Sequence, residues 1–139
     1  MAKALLYRLF GVGSIPAPIA AALKGEGVLL LDEGLRGSVT YRGFRAPGKI
    51  FAYKRKGYVG SIILTEVRLL GLGYSSTIIN VPLTDQRLRR IQLSVEGNDL
   101  LLVAFDAALF HDDWSGSVEY RFRTPQAHDF VKMLGERAG

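Results

Sequence analysis

The sequence predicts a mostly β domain that ends in one amphipathic helix. Between Gly27 and Arg123, apolar and polar residues alternate with a period of two in several short segments, which is typical of strands with one buried and one solvated face. Glycine-containing breaks separate these segments. After Thr124 the period changes to that of a helix. A chain of 139 residues can bury one core, so we expect a single β-rich domain.

The predicted strands are short and antiparallel. Ile91, Leu93 and Val95 alternate with polar residues, and the Glu96-Gly97-Asn98-Asp99 segment that follows predicts a hairpin turn. No long βαβ crossover is present, which argues against a parallel sheet. A closed or nearly closed barrel, plugged by the last helix, would protect the strand edges. The predicted strands are Val28–Asp32, Ser38–Arg42, Ile50–Lys54, Tyr58–Leu64, Arg68–Leu72, Thr77–Pro82, Ile91–Glu96, Leu100–Phe105 and Val118–Arg123, with breaks at Gly34, Gly43, Gly48, Gly57, Gly71–Gly73 and Gly97–Asp99.

The last segment predicts an amphipathic helix. Thr124 is a good N-cap residue, and Pro125 suits the first helical position. The residues that follow place one apolar face at helical spacing, which would pack on the strands. That face consists of Ala127, Phe130, Val131 and Leu134.

The N-terminal region predicts helical structure before the strands begin. Residues 3–11 have the spacing of a short amphipathic helix, Ser14–Pro18 reads as a linker, and Ile19–Lys24 predicts a further helical turn or two. We assign 1–24 to an N-terminal amphipathic helix and linker, and 25–139 to the β domain with its C-terminal helix. No uninterrupted apolar run reaches the length that spans a membrane.

One short motif resembles a known family. Leu64-Thr65-Glu66-Val67-Arg68-Leu69 resembles a hairpin of the bacterial pleckstrin-homology-like and GRAM-like families, and Ile78–Leu83, Arg90–Val95 and the helix Pro125–Arg137 fall where their later elements do. The resemblance covers residues 25–137 in layout. It implies a partly open barrel of two near-orthogonal antiparallel sheets of about seven strands, closed at one end by the C-terminal helix. It also implies binding of phosphoinositides, peptides or sister subunits, and no catalysis.

Charge is distributed unevenly along the chain, whose net charge is +5. Leu35–Thr65 contains basic residues and no acidic one, whereas Ile91–Tyr120 contains acidic residues and no basic one. Such a balance permits anionic partners. The basic residues of the first segment are Arg36, Arg42, Arg45, Lys49, Lys54, Arg55 and Lys56, and the acidic residues of the second are Glu96, Asp99, Asp106, Asp112, Asp113 and Glu119.

The stretch 42–56 is the main candidate binding site. The aromatic residues Phe44, Phe51, Tyr53 and Tyr58 lie in or beside it, and cations interleaved with aromatic rings suit an anionic membrane or a nucleic acid. The competing interpretation is that Phe51 and Tyr53 are buried strand residues and that the cations form a solvated face opposite the acidic segment. The candidate ligand-binding residues are Arg42, Arg45, Lys49, Lys54, Arg55 and Lys56.

Catalytic and metal sites find little support. The chain has no cysteine, which excludes disulfides, thiolate metal sites and a cysteine nucleophile and suits a reducing cytoplasm. His111-Asp112-Asp113-Trp114 could suggest a metal or acid/base cluster. Only two histidines are present, and metal sites need three or four converging ligands. We therefore interpret this segment as a structured loop and expect no metal and no cofactor.

These observations favour a non-enzymatic binding module that mediates protein–protein interaction or self-association. The first alternative is a peripheral adaptor that binds anionic phospholipid through the basic stretch, and the second is a barrel that binds a small ligand. Nucleic acid ranks last, because no recognised module pattern is present. The expected location is the cytoplasm, with a position at the membrane surface under the phospholipid alternative.

Overall fold

The computed structural model describes residues 14–138 of the chain. It contains seven strands, all paired antiparallel, in one sheet of order β4-β3-β2-β1-β7-β6-β5. The prediction of an antiparallel, mostly β fold is therefore confirmed. The strands are β1 Val28–Ala46, β2 Lys49–Thr65, β3 Arg68–Gly73, β4 Ser76–Pro82, β5 Gln92–Glu96, β6 Leu100–Asp106 and β7 Ser115–Arg123.

Helices lie at both ends of the described chain, as α1 (Ala17–Lys24) and α2 (Ala127–Ala138). Two short 3₁₀ helices, Gln86–Arg90 and Ala107–Leu109, lie in the loops before β5 and after β6. None of the described helices is long and apolar enough to cross a membrane. The helix predicted over residues 3–11 lies outside the described residues.

β1 and β2 are much longer than predicted, because each unites two of the predicted strands. The sequence placed a break at Gly34, yet β1 continues through it. Gly34 adopts φ +69°, and the register with β2 shifts between Asp32 and Leu35. A left-handed glycine of this kind accommodates a β-bulge, which bends a strand without ending it. Gly57 likewise lies inside β2. Gly43, with φ +54°, also lies inside β1. The prediction of strand ends at Gly34, Gly43 and Gly57 was wrong.

The predicted turns at Gly48 and Gly97–Asp99 are correct, and the predicted break at Gly71–Gly73 falls on the last residues of β3. Pro47-Gly48 joins β1 to β2 with Ala46 paired directly to Lys49, and Gly97 lies in the turn between β5 and β6 with φ +62°. The turn after β2 is held by Thr65, whose Oγ1 accepts hydrogen bonds from the backbone N–H groups of Val67 (3.1 Å) and Arg68 (3.0 Å). Side-chain acceptors of this kind commonly stabilise tight turns.

The main core lies on the concave side of the curled sheet. Phe122 and Leu101 come from one end of the sheet and Ile62 and Leu69 from the other, and all of them are fully buried. Phe130 of α2 joins the same cluster. Residues at both ends of the strand order thus contact a common interior, and the sheet forms an open, barrel-like shape.

α2 begins later than predicted but buries the predicted face. Its first residue is Ala127 rather than Pro125. Thr124 Oγ1 accepts a hydrogen bond from the Gln126 N–H (3.1 Å), so Thr124 still supports the start of the helix. Ala127, Phe130 and Leu134 are buried, and Val131 packs on the same core.

α1 covers the outer face of β2 and β3. Leu23 is 2% exposed and packs on Ile63, Leu70 and Leu72, with Ile15 and Ile19 at the margin. This part of the sheet is covered on both faces, which explains the unbroken burial of β2 from Tyr58 to Thr65. The prediction of helix over Ile19–Lys24 is confirmed. The predicted linker Ser14–Pro18 ends earlier than expected, because Ala17 and Pro18 already belong to the first turn of α1.

Candidate ligand cavity

Part of the barrel interior is not filled by side chains. A cavity of about 410 Å³ lies between the β1–β2 hairpin, β4 and the β6–β7 side of the sheet. Pockets that hold small organic molecules measure about 300–1,000 Å³, so the volume suits a small ligand. Seven of the seventeen residues that line it are aromatic. Tyr41, Phe44 and Phe51 come from the hairpin, and Phe105, Phe110, Trp114 and Tyr120 come from the opposite side.

The hairpin wall is fixed by ring contacts. Phe44 is 3% exposed, and its ring centroid lies 4.8 Å from that of Tyr41 and 5.9 Å from that of Phe51. Trp114 meets Phe44 edge-on at 5.5 Å and thereby links the hairpin to the loop before β7. Aromatic pairs at such distances contribute about 0.5–1.5 kcal/mol each beyond their buried area. The wall is therefore held in place without a ligand.

The opposite wall has the same construction. Phe105 of β6 meets Phe110 edge-on at 5.2 Å and lies 6.1 Å from Tyr120 of β7. Ile79 and Val81 of β4 are buried and line the cavity between these two walls. The alternation of β4, β6 and β7 turns these side chains toward the interior. The resulting site is apolar, with a small number of polar groups.

Two tyrosines, Tyr41 and Tyr120, are among the residues that line the cavity. Burial raises the pKa of Tyr41, and burial together with the nearby Tyr41 raises the pKa of Tyr120 to about 12. Both hydroxyls are therefore protonated at neutral pH and are able to donate a hydrogen bond. Neither forms a hydrogen bond with another side chain or backbone group in the part of the chain that the structure describes. A ligand with an acceptor atom could satisfy them.

Polar residues mark the solvent-exposed rim. Lys49, Thr77, Asn80 and His111 line the cavity and are themselves exposed. Asn80 is partly engaged, since its Oδ1 accepts a hydrogen bond from Arg68 Nη1 at 3.3 Å. Lys49 supplies a positive charge at the rim, which favours a ligand with an anionic or polar end.

The His111–Trp114 segment forms part of this wall. The imidazole of His111 stacks on the indole of Trp114 with a centroid distance of 3.7 Å, and the backbone N–H of Trp114 donates to the backbone carbonyl of His111 at 3.0 Å. The segment is thus a structured turn. Over residues 14–138, no group of three or more histidine, cysteine, aspartate or glutamate side chains is placed to hold a metal.

The predicted basic site lies on the β1–β2 hairpin and only touches the cavity. All six of its residues are exposed, but Lys49 alone lines the cavity. Arg42 Nε donates to Glu119 Oε2 at 3.0 Å and its guanidinium lies 5.2 Å from the ring centroid of Tyr53. Lys54 Nζ lies 4.4 Å from the ring centroid of Phe51. The six residues are Arg42, Arg45, Lys49, Lys54, Arg55 and Lys56.

The competing interpretation of this stretch, buried strand aromatics with cations on a solvated face, was right in part. Phe51 is half-buried and packs against the core, whereas Tyr53 is 58% exposed, so the expectation that Tyr53 is buried was wrong. The Arg42–Glu119 ion pair joins the basic segment to the acidic one. Glu119 also binds Arg121, which pairs with Glu96 through Nε at 2.7 Å. The hydrogen bond from Arg121 lowers the pKa of Glu96.

Sequence reasoning missed the aromatic cavity. Its walls come from strands far apart in the chain, and Tyr41, Phe105 and Tyr120 look like ordinary buried strand residues in isolation. The only local signal was the concentration of aromatic residues at Phe105, Phe110 and Trp114, and the segment His111–Trp114 was interpreted as a structured loop. No family model matches the chain, and no curated protein matches it either.

Proposed function

We propose that the chain is a binding module that holds one small, largely apolar ligand in the aromatic cavity. The observation that carries the proposal is a pre-formed cavity of about 410 Å³ whose aromatic walls include Tyr41 and Tyr120. Ligand sites are typically concave and mostly apolar, with a few polar groups that orient the ligand. We assign no reaction to the site.

The chemistry of the walls defines the ligand class. Tyr41 and Tyr120 are protonated at neutral pH, as any tyrosine with a pKa of 10 or above is, and their hydroxyls are able to donate to an acceptor on the ligand. The aromatic walls favour a flat ring or an acyl chain. Lys49 at the rim favours an anionic end. An aromatic or acyl anion satisfies all three requirements.

A pleckstrin-homology-like fold is part of the same proposal. What supports it is the strand order, in which β1 joins the meander β1–β4 to the meander β5–β7, and the position of α2 after the last strand. In such a barrel the ligand would lie between the two meanders. The small-ligand alternative therefore takes precedence over protein or phospholipid binding for this cavity.

The test uses the only tryptophan of the chain, Trp114, which lines the cavity. We expect 1-anilinonaphthalene-8-sulfonate, an aromatic anion, to quench Trp114 emission by energy transfer when it binds. Ala46→Phe, which fills space at a lining position, should weaken this binding by at least about tenfold, equivalent to about 1.4 kcal/mol. Ala52→Phe is the matched control, because Ala52 lies on the same hairpin, is exposed and does not line the cavity.

A second variant tests the hydroxyls. Tyr41→Phe with Tyr120→Phe keeps the walls but removes both donors. It should weaken binding of the sulfonate and leave binding of naphthalene, which has no acceptor, unchanged. Equal binding by wild type, Ala46→Phe and Ala52→Phe would contradict the proposal.

A further inference from the structure

The outer edge of β2 lacks a strand neighbour over half of its length. β2 pairs with β1 from Lys49 to Thr65, but β3 pairs with β2 only from Gly60 onward. Among the described residues, no strand lies beside the segment Lys49–Tyr58 on its second side. An open edge offers backbone N–H and C=O groups to another strand.

One hydrogen bond shows which backbone N–H and C=O groups of β2 point toward the open edge. The carbonyl of Val59 accepts from the Tyr74 N–H at 2.8 Å, so the backbone groups of Val59 point to the β3 side. Backbone groups of successive residues alternate between the two sides of a strand. The register with β1 continues from Gly60 to Lys49 without a shift. The N–H and C=O groups of Gly57, Arg55 and Tyr53 therefore point away from β1, toward the open side.

The positive charge along this edge favours an acidic partner strand. Lys54, Arg55 and Lys56 are exposed, and none of them forms an ion pair within 4.0 Å with another residue of the described chain. The charge of Arg55 does act on Glu96, whose pKa it helps to lower. Pairing with a second copy would place like charges side by side, which destabilises a strand pair. An acidic strand would meet complementary charge. Ile50 and Tyr53, which are 72% and 58% exposed, add apolar surface on the same hairpin.

We propose that the open edge of β2, at Tyr53–Gly57, binds an extended acidic peptide segment of another protein by strand addition. The backbone groups of Tyr53, Arg55 and Gly57 hold the peptide main chain, and Lys54, Arg55 and Lys56 hold its carboxylates. Strand addition of this kind draws affinity from main-chain hydrogen bonds and specificity from side chains. This inference is independent of the cavity ligand, because the two sites share none of these residues.

The binding experiment uses the full chain and a blocked ten-residue peptide of alternating glutamate and valine, labelled for fluorescence anisotropy. A peptide of alternating lysine and valine is the charge control. Arg55→Pro removes one outward N–H and no bond to β1, and edge strands tolerate proline. Arg55→Ala is the matched control, because it removes only the charge. We expect Arg55→Pro to weaken binding at least about fivefold more than Arg55→Ala, and salt to weaken all binding.

Amide hydrogen exchange provides a measurement that needs no variant. In the free protein the Arg55 and Gly57 amides should exchange quickly, whereas the Lys54 and Lys56 amides, which face β1, should be protected. The acidic peptide should protect Arg55 and Gly57.

Three results would overturn the inference. Slow exchange at Arg55 in the free chain would mean that the edge is already covered. Equal affinities of Arg55→Pro and Arg55→Ala would mean that only charge matters. The third result combines two measurements. If the protein binds vesicles containing phosphatidylserine, if a Lys54→Glu/Lys56→Glu variant does not, and if the peptide gives no protection at Arg55, the surface binds lipid instead. The quenching of Trp114 by the cavity probe does not depend on the outcome of these tests, so the two proposals are tested separately.

Discussion

Replacing Thr124 with valine should destabilise the fold strongly, because Thr124 connects the start of α2 to β1. Its hydroxyl donates to Asp32 Oδ2 at 2.7 Å, and the two side chains are 0% and 4% exposed. The same oxygen accepts from the Gln126 N–H. Valine has nearly the same shape but offers neither bond, and it leaves a buried carboxylate with one partner fewer.

The expected loss in the free energy of unfolding is the sum of two contributions. A hydrogen bond to a charged group contributes about 1.5–3 kcal/mol, and loss of an N-cap costs about 1 kcal/mol. Together they predict that Thr124→Val lowers the free energy of unfolding by about 3 kcal/mol. For a domain of this size the melting temperature should fall by about 10 °C.

Urea denaturation followed by circular dichroism measures this change. We expect a lower midpoint with an unchanged m-value, since the surface exposed on unfolding is the same. Thr124→Ser keeps the hydroxyl and should lose only about 1 kcal/mol for the missing methyl group. A Thr124→Val protein within about 0.5 kcal/mol of wild type, the usual range for changes away from key contacts, would refute the reasoning.

Two further predictions concern stability. Leu23→Ala should lower the free energy of unfolding by about 2–5 kcal/mol, because it uncovers Ile63, Leu70 and Leu72; a loss below about 1 kcal/mol in urea would mean that α1 is not firmly packed. In the folded protein the pKa of Tyr120 is raised to about 12. The stability that this raised pKa provides is therefore fully present below about pH 10 and is lost as the pH rises through 12. Thermal melts between pH 9 and 12 should therefore show wild type losing about 2–3 kcal/mol more than Tyr120→Phe; identical pH profiles would contradict this assignment.

Much of the fold is encoded in local patterns. The alternation Ile91, Leu93, Val95 identified β5, and the turn at Gly97 was predicted from four residues. The apolar spacing of Ala127, Phe130 and Leu134 identified the buried face of α2. These features depend on neighbours in the sequence, so one segment suffices to recognise them.

Other features depend on the whole fold. Gly34 signals a break in isolation, but pairing of β1 with its neighbours carries the strand through it as a bulge. The cavity is a tertiary feature of the same kind, because Tyr41, Phe105 and Tyr120 come together only when the sheet curls. The cations of 42–56 lie on one exposed hairpin, and the sequence contained no sign that Lys49 reaches the cavity rim.

Methyl NMR of the ligand-loaded protein tests the central claim, that the curled sheet encloses a ligand site, most directly. With 1-anilinonaphthalene-8-sulfonate added to the full chain, the methyl signals of Ile79, Val81 and Val118, which line the cavity, should shift. Those of Ile63 and Leu70, which pack under α1 on the outer face, should stay in place. Shifts confined to the outer-face methyls, or no shift at Ile79, Val81 and Val118 at saturating probe, would contradict the account.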